Sequence, residues 1–314
     1  MNEYEAAVGE PSWQKRMEAF AAEDGRFVYY TSAKAGLQIL KDRAIWMRAA
    51  ACMNDYREIR YGIELFNHMF YRNEDCRERL ERLAGALGWG DHLLESLLLR
   101  LNGTQGELVR RVFLTCVSEQ NRTESTDSGR LSMWRAYGRK TGLAFVLRGR
   151  ELLRGKQELP LTIRPVEYLS QADFDQMIAG RLQEIEAHMG DFQREDSGRL
   201  LRDFIDSVLE SVMFIKHPGF AEEQEWRIVY REDAEGLEHS LVSIDGVPQI
   251  IYKLPLKLRA AAGPGLVLED LFEQLIIGPT EYADVIADAF ALALRELGIA
   301  DAAARVQKSN IPLR

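Results

Sequence analysis

The sequence predicts an α+β fold, in which short strands are interrupted by long helical segments. Runs rich in aromatic and β-branched residues recur along the chain and are bounded by Gly, Pro or polar residues, as is typical of strands. Between them, leucines and other apolar residues repeat at helical spacing over much longer stretches. No internal repeat and no low-complexity segment is present. These observations indicate one elaborated α+β domain over residues 1–314.

The first elements are a strand, a short helix and a second strand. Residues 27–31 are aromatic and β-branched, which predicts a strand. Ser32 then offers an N-cap for a helix over 33–41. Residues 44–47 predict the second strand.

A helical insertion or lid is predicted at residues 55–110. Leucine and methionine recur there at helical spacing up to about Asn102, and Gly88 to Gly90 interrupts the pattern.

Strands and helices then alternate to the end of the chain. Residues 131–137 predict a short helix that ends at Gly138, and Asp245-Gly246 predicts a hairpin turn. Pro165 limits the strand predicted within 161–169 to a sheet edge or a bulge. The other predicted strands are 112–117, 143–147, 223–230 and 274–277, and the other predicted helices are 171–189, 198–215 and one that ends before Gly298.

Composition excludes several classes of protein. The 314 residues are 46% hydrophobic and carry a net charge of -9, which argues against general nucleic-acid binding. The three cysteines are far apart, so neither a disulfide framework nor a zinc site is expected. No long uncharged apolar run is present, and the first residues do not resemble a signal peptide. We therefore expect a cytoplasmic protein without a membrane partner.

Common catalytic motifs are also absent. None of the five histidines is paired at i,i+4 or lies in an HExxH frame, so no metal is expected. The sequence contains no GxSxG elbow, no phosphate-binding GxxxxGK[ST] loop and no GxGxxG fingerprint.

The segment 223–230, with the sequence EQEWRIVY, reads as a strand with two different faces. Side chains alternate along a strand, so Glu223, Glu225 and Arg227 are expected on one face. Trp226, Ile228 and Tyr230 are expected in the core on the other face. This pattern fits either the wall of a polar cleft or a solvated edge strand that carries a salt bridge.

Three further groups have a structural and a functional interpretation. Asn54-Asp55 with Glu58 fits a helix cap, or a polar cluster at a cleft edge with Arg57 near a ligand phosphate. Trp134 and Tyr137 fit either core residues or the stacking wall of a pocket for a flat heterocycle. The segment 278–280 before a helix fits a simple cap or an anion site.

Taken in order, these segments resemble the bacterial and phage family catalogued as domain of unknown function 2971, over roughly residues 27–285. The family in turn distantly resembles the ADP-ribosyltransferase fold, which implies a split antiparallel or mixed sheet with helical insertions. Some of its members resemble phage-defence proteins. The segments that carry the resemblance are Tyr30-Thr31-Ser32 with Leu37 and Leu40, Ile45-Trp46, Asn54-Asp55-x-x-Glu58, Met133-Trp134-x-x-Tyr137, Lys216, Glu223-x-Glu225-Trp226-Arg227 and Ile277-Gly278-Pro279.

The transferase resemblance implies NAD as co-substrate and assigns roles to individual residues. Glu225 matches the carboxylate that stabilises the ribosyl oxocarbenium ion, and Glu223 matches the first carboxylate of the same motif. The strand that usually carries a His beside a Tyr or Thr reads Tyr29-Tyr30-Thr31 here. The implied cofactor-binding residues are Tyr30, Thr31, Asn54, Asp55, Trp134, Tyr137, Lys216 and Arg227.

Two kinds of function follow from this resemblance. The first is ADP-ribosyl transfer to an unidentified macromolecule or NAD hydrolysis, in the setting of phage defence. The second is a non-catalytic module on the same fold that binds a nucleotide or a protein partner. Glu225 distinguishes them, because catalysis loses its main support where this carboxylate faces bulk solvent or pairs with Arg227 across a flat sheet.

Overall fold

The computed structural model describes residues 12–52, 56–86, 88, 110–120, 128–138, 140–187, 207–208, 210–244, 246–261 and 263–312. The chain forms two compact units. The larger unit contains Arg16–Ala49, Arg111–Pro165 and Glu222–Arg314, and the smaller contains Met1–Lys15, Ala50–Arg110 and Val166–Ala221. The insertion predicted at 55–110 therefore folds together with 166–221.

The larger unit is built around a mixed, largely antiparallel sheet, which confirms the predicted α+β class. Its strands are β1 (Arg26–Ser32), β2 (Ala44–Ala49), β3 (Val112–Gln120), β4 (Gly142–Arg148), β5 (Thr162–Pro165), β8 (Glu225–Arg231), β9 (His239–Ile244), β10 (Val247–Lys257), β11 (Leu266–Val267), β12 (Phe272–Ile277) and β13 (Val306–Lys308). They follow the order β11-β10-β2-β3-β1-β4-β12-β13, with β8 also paired to β3, β5 to β8 and β9 to β10. Among the described strands of this sheet, only the β10–β11 and β12–β13 pairs are parallel.

The sheet is split along one edge of β3. Strand β8 pairs with β3 from Val112 to Ser118 and so occupies one edge of that strand. On the other edge, β1 pairs with the end of β3 near Gln120, and β2 pairs near its start at Phe113. Strands β1 and β2 therefore diverge from each other along the part of β3 between Phe113 and Gln120.

One face of this sheet, which we name the core face, packs against helices. Helices α2 (Ala33–Asp42), α6 (Gly149–Glu158) and α9 (Ala283–Glu296) bury Leu40, Leu152 and Phe290 in the same cluster as the strand residues Phe27 and Trp226. The predicted cap of α2 is confirmed, because the Ser32 hydroxyl accepts a hydrogen bond from the Ala35 N–H at 3.3 Å. The remaining helices of the larger unit are α1 (Ser12–Ala22), which begins in the smaller unit, α5 (Leu131–Met133) and α8 (Leu268–Leu271).

The smaller unit consists of helices around a two-stranded parallel ladder. Helices α3 (Tyr56–Arg72), α4 (Glu74–Ala86) and α7 (Gln171–Ala187) accompany β6 (Glu167–Tyr168) and β7 (Ile215–Lys216). Tyr61 donates a hydrogen bond from its hydroxyl to the Leu169 carbonyl at 2.8 Å, which ties α3 to the chain after β6. Most of the helix predicted at 198–215 lies outside the described residues.

Most of the predicted elements are present. The strands expected near 27–31, 44–47, 112–117, 143–147 and 274–277 are β1, β2, β3, β4 and β12. The hairpin is confirmed by the pairing of Ile244 with Val247, although Asp245 itself is outside the described residues. Pro165 ends β5, whose only pairing among the described strands is with β8, as its place at a sheet edge requires. Among the described residues, no helix is both long enough and apolar enough to cross a membrane.

Candidate functional site

Strand β8 carries the predicted catalytic carboxylate, but it begins later than the sequence suggests. The strand starts at Glu225, whereas Glu223 is the last residue of a 3₁₀ helix, Pro218–Glu223. Between them, Gln224 has a φ of 43°, in the left-handed region. This residue breaks the alternation of an extended chain. The expectation that Glu223 shares a strand face with Glu225 and Arg227 is therefore wrong.

From Glu225 to Tyr230, β8 is buried on both faces. Trp226, Ile228 and Tyr230 lie in the core, as predicted. On the opposite face Glu225 is 3% exposed and Arg227 is 0% exposed. The alternative of a solvated edge strand is wrong, because β3 flanks β8 on one side and β5 on the other.

Glu225 and Arg227 form an ion pair within this buried face. The Arg227 Nε donates to the Glu225 Oε1 at 2.7 Å, and the two residues are next neighbours on the same side of the strand. Removing two charges from water costs several kcal/mol for each ion, on the order of what their attraction returns. A buried pair is therefore weak evidence of a purely stabilising role. It does hold the carboxylate in one orientation.

The face that carries this pair, which we name the site face, continues across the neighbouring strands. Ser118 of β3 lies opposite Glu225, and Cys116 lies opposite Arg227. On the other side, Arg164 of β5 also lies opposite Arg227. A carboxylate, two guanidinium groups, a hydroxyl and a thiol thus occupy adjacent positions on three strands. Guanidinium groups bind phosphate oxygens in a bidentate manner, so this row has the chemistry of a nucleotide site.

Arg130 fixes the backbone that precedes Glu225, and the sequence analysis missed it. Its guanidinium donates to the carbonyl oxygens of Glu119 at 2.8 Å and Glu223 at 3.2 Å, and to the Gln224 Oε1 at 2.7 Å. The Ser118 hydroxyl also donates to the Glu223 carbonyl, at 2.8 Å. These bonds hold the left-handed turn at Gln224 and so determine that β8 begins at Glu225. No sequence signal marks Arg130, since it is a single Arg in a polar loop.

Tyr30 belongs to the same site face. Val28 lies opposite Ser118, and Tyr30 is two residues further along β1, so both share the side of Glu225. The Tyr30 hydroxyl accepts a hydrogen bond from the Arg130 N–H at 2.9 Å. Tyr30 and Glu225 therefore lie on one face, and Arg130 contacts both Tyr30 and the turn that precedes Glu225.

Thr31 lies on the opposite side of β1 from Tyr30, together with Tyr29. Tyr29 lies at the split in the sheet and forms side-chain hydrogen bonds with Thr115 and Thr31. Burial raises the pKa of the Tyr29 phenol above its usual value, and the hydrogen bond with Thr115 offsets part of this rise. Thr31 is thus near Tyr29 rather than on the face of Glu225.

Trp134 is a buried core residue. It is 5% exposed and begins a π-helical turn, Trp134–Gly138, directly after α5. Its indole N–H donates to the Ser128 carbonyl at 2.8 Å, and its ring meets Tyr30 edge-on with centroids 5.0 Å apart. A Cβ on Gly278 would lie only 2.8 Å from the ring. These contacts leave little of the ring for a ligand, so the core interpretation is favoured.

Tyr137 is half-buried and packs against the same cluster as Trp134. It keeps part of its surface accessible on the π-helical turn, so it remains the better candidate of this pair for stacking. The interpretation of 278–280 as an anion site finds less support, because the Gly278 N–H already donates to the Gly142 carbonyl at 2.9 Å.

The remaining predicted residues are Lys216, Asn54 and Asp55. Lys216 is in β7 of the smaller unit, fully buried, with its Nζ 4.9 Å from the centre of the Phe220 ring. Asn54 and Asp55 lie outside the described residues, and so their predicted roles stay predictions. Within the described ranges, no group of three or more His, Cys, Asp or Glu side chains is arranged to hold a metal ion.

Comparison with known proteins supports the family predicted from the sequence. The model of a family described as "Protein of unknown function (DUF2971)" matches residues 133–228, from the last residue of α5 to Ile228 in β8. Neither the curated proteins nor the solved structures give a match. The chain is therefore similar to the DUF2971 family over this segment, which lies within the range 27–285 predicted from the sequence.

Proposed function

We propose that this protein cleaves the bond between nicotinamide and ribose in NAD, either to transfer ADP-ribose to a macromolecule or to hydrolyse NAD. The observation that supports this most is the row of polar side chains on the site face, in which Glu225, at the first residue of β8, lies beside Ser118, Cys116, Arg227 and Arg164. A carboxylate in a fixed orientation is the group that this reaction requires.

The chemistry assigns one step to Glu225. When the glycosidic bond breaks, nicotinamide leaves with the bonding electron pair and the ribose acquires positive charge. A carboxylate that is already oriented stabilises this charge without reorganisation, typically by about 3–4 kcal/mol. Water or a macromolecular nucleophile then adds to the ribose carbon and loses a proton.

The neighbouring residues have binding roles in this proposal. Arg227 orients Glu225, and the half-buried Arg164, opposite Arg227 on the adjacent strand, can contact the phosphates of the nucleotide. Tyr30 lies on the same face, and Tyr137 offers an accessible aromatic ring. Glu223 acts through its backbone, which Arg130 and Ser118 hold in place. No metal takes part, and we assign the activity to the cytoplasm in the setting of phage defence.

A second candidate is a non-catalytic module that binds a nucleotide and senses it or engages a protein. The burial of Glu225 against Arg227 favours this alternative, because the carboxylate must become accessible to the ribose before it can act. The Tyr29-Tyr30-Thr31 segment, which has no His, points the same way.

Release of free nicotinamide from NAD separates these functions. The purified protein is compared with Glu225→Gln and with a matched control, Glu119→Gln. Glu119 accepts hydrogen bonds from Arg16 at 2.8 Å and from the Trp226 indole at 2.8 Å, so the control also removes a carboxylate that pairs with an Arg, next to β8 but on the core face.

Three outcomes decide between the candidates. Release that is lost in Glu225→Gln and kept in Glu119→Gln supports catalysis by Glu225. Binding of NAD without release from any of the three proteins supports the sensor. Release that is equal in all three proteins contradicts the role of Glu225.

A further inference from the structure

Helix α9 presents a second apolar stripe on the side opposite the core. Its inner side buries Phe290 and Leu294. On the outer side Tyr282, at the N-cap, is 59% exposed, Val285 is 70% exposed and Leu292 is 52% exposed. We name the outer residues Tyr282, Val285, Ala289 and Leu292 the α9 stripe.

The spacing of the α9 stripe is that of a helix–helix contact. Its residues are separated by three, four and three positions, which places them along one line of the helix surface. An exposed helix surface is usually polar. A line of apolar side chains on the outer side of a helix, three of them large, therefore indicates that another element covers it.

The charges beside the α9 stripe indicate which element covers it. Glu281, Asp284 and Asp288 lie at or near the N-terminal half of α9, where the exposed Asp284 also pairs with Lys308 of its own chain at 2.7 Å, and Arg295 lies in the last turn. Two parallel copies of the helix would place acidic residues against acidic residues. Two antiparallel copies that cross near Ala289 would place Asp284 of one copy beside Arg295 of the other, twice over.

We propose that two copies of this chain associate through the α9 stripe, with the helices antiparallel about a two-fold axis near Ala289. The surface is self-complementary in the way that a two-fold interface requires. A pair of helices of this length covers much less than the roughly 1,600 Å² of a standard interface. The association is therefore weak and depends on concentration.

Sedimentation analysis of the full chain over a wide concentration range tests this proposal. We expect the wild-type mass to rise from monomer towards dimer, and Val285→Glu to weaken association more than about tenfold, because the new carboxylate would be buried in an apolar contact. Leu241→Glu is the matched control. Leu241 is an 80% exposed apolar residue on β9, and its substitution should leave association unchanged.

Arg295→Glu tests the antiparallel orientation of the two α9 helices. The new carboxylate would lie beside Asp284 of the second copy, and the repulsion between the two negative charges should also weaken association. A wild-type chain that stays monomeric throughout, or that associates equally well with Val285→Glu, overturns the proposal. Loss of association in Val285→Glu but not in Arg295→Glu overturns the antiparallel arrangement.

Discussion

Replacement of Trp134 by Leu should destabilise the fold and leave nucleotide binding unchanged. The substitution removes the hydrogen bond from the indole to the Ser128 carbonyl, worth about 1 kcal/mol. It removes about 60 Å³ of side chain, which costs about 1.5 kcal/mol if the void does not close. The edge-on contact with Tyr30 contributes roughly 1 kcal/mol more. We expect a total loss of about 3–4 kcal/mol in the free energy of unfolding.

The matched control is Trp46→Leu. Trp46 is half-buried, and its indole donates to the Asp42 carboxylate at 3.1 Å. Because water can replace that contact, the control should lose less than about half as much stability. Urea unfolding measures both variants, and calorimetric titration with NAD measures affinity. Since stacking on a base is worth about 1–3 kcal/mol, a large loss of NAD affinity in Trp134→Leu without a loss of stability would refute the core interpretation.

Three further predictions follow from the same contacts. Gly278→Ala should lower the free energy of unfolding by about 1–3 kcal/mol, because its Cβ would lie 2.8 Å from the Trp134 ring. The control Gly180→Ala, with open space in α7, should raise the free energy of unfolding by about 0.5–1 kcal/mol. Equal effects of the two substitutions in urea unfolding would contradict the packing of Gly278 against Trp134. The raised pKa of Tyr29 means that the folded state holds the phenolic proton more tightly. This stabilisation is complete below the unfolded pKa of about 10 and is lost as pH rises through the raised value, so Tyr29→Phe should reduce the alkaline loss of stability; unfolding curves that fall in parallel would contradict this. Arg130→Gln should speed amide hydrogen exchange in the turn at residues 222–224, because it removes the guanidinium that bonds the Glu222 and Glu223 carbonyl oxygens and the Gln224 Oε1; unchanged exchange would show that the turn holds without it.

The sequence predicts the sheet well because strands depend on local patterns. β3, β4 and β12 are runs of aromatic and branched residues, and both faces of the sheet are buried where they lie. The start of β8 could not be predicted in the same way. The EQE segment fits an extended chain locally, and the left-handed Gln224 is held by Arg130, a residue 94 positions away.

In the candidate site, too, local patterns in the sequence predict some features, and distant residues determine the others. Glu225 and Arg227 are recognised from their spacing on a strand, and their burial on the site face follows only from the flanking strands β3 and β5. Trp134 and Tyr137 have helical spacing, but the turn between them is π-helical; Trp134 is buried in the core cluster, whereas Tyr137 packs against that cluster and stays half-buried. Arg130 and Arg164 join the site through long-range pairing that no local pattern records.

The most direct test of the proposed nucleotide site is calorimetric titration of NAD into the wild-type protein, Arg227→Lys and Glu119→Gln, each first shown to be folded by its thermal transition. We predict saturable binding of one NAD per chain in the wild type and in Glu119→Gln. Binding should be much weaker in Arg227→Lys, because Lys lacks the guanidinium N–H that holds Glu225 in its orientation. No saturable binding to the wild type, or equal binding to all three folded proteins, would contradict a nucleotide site on this face of the sheet.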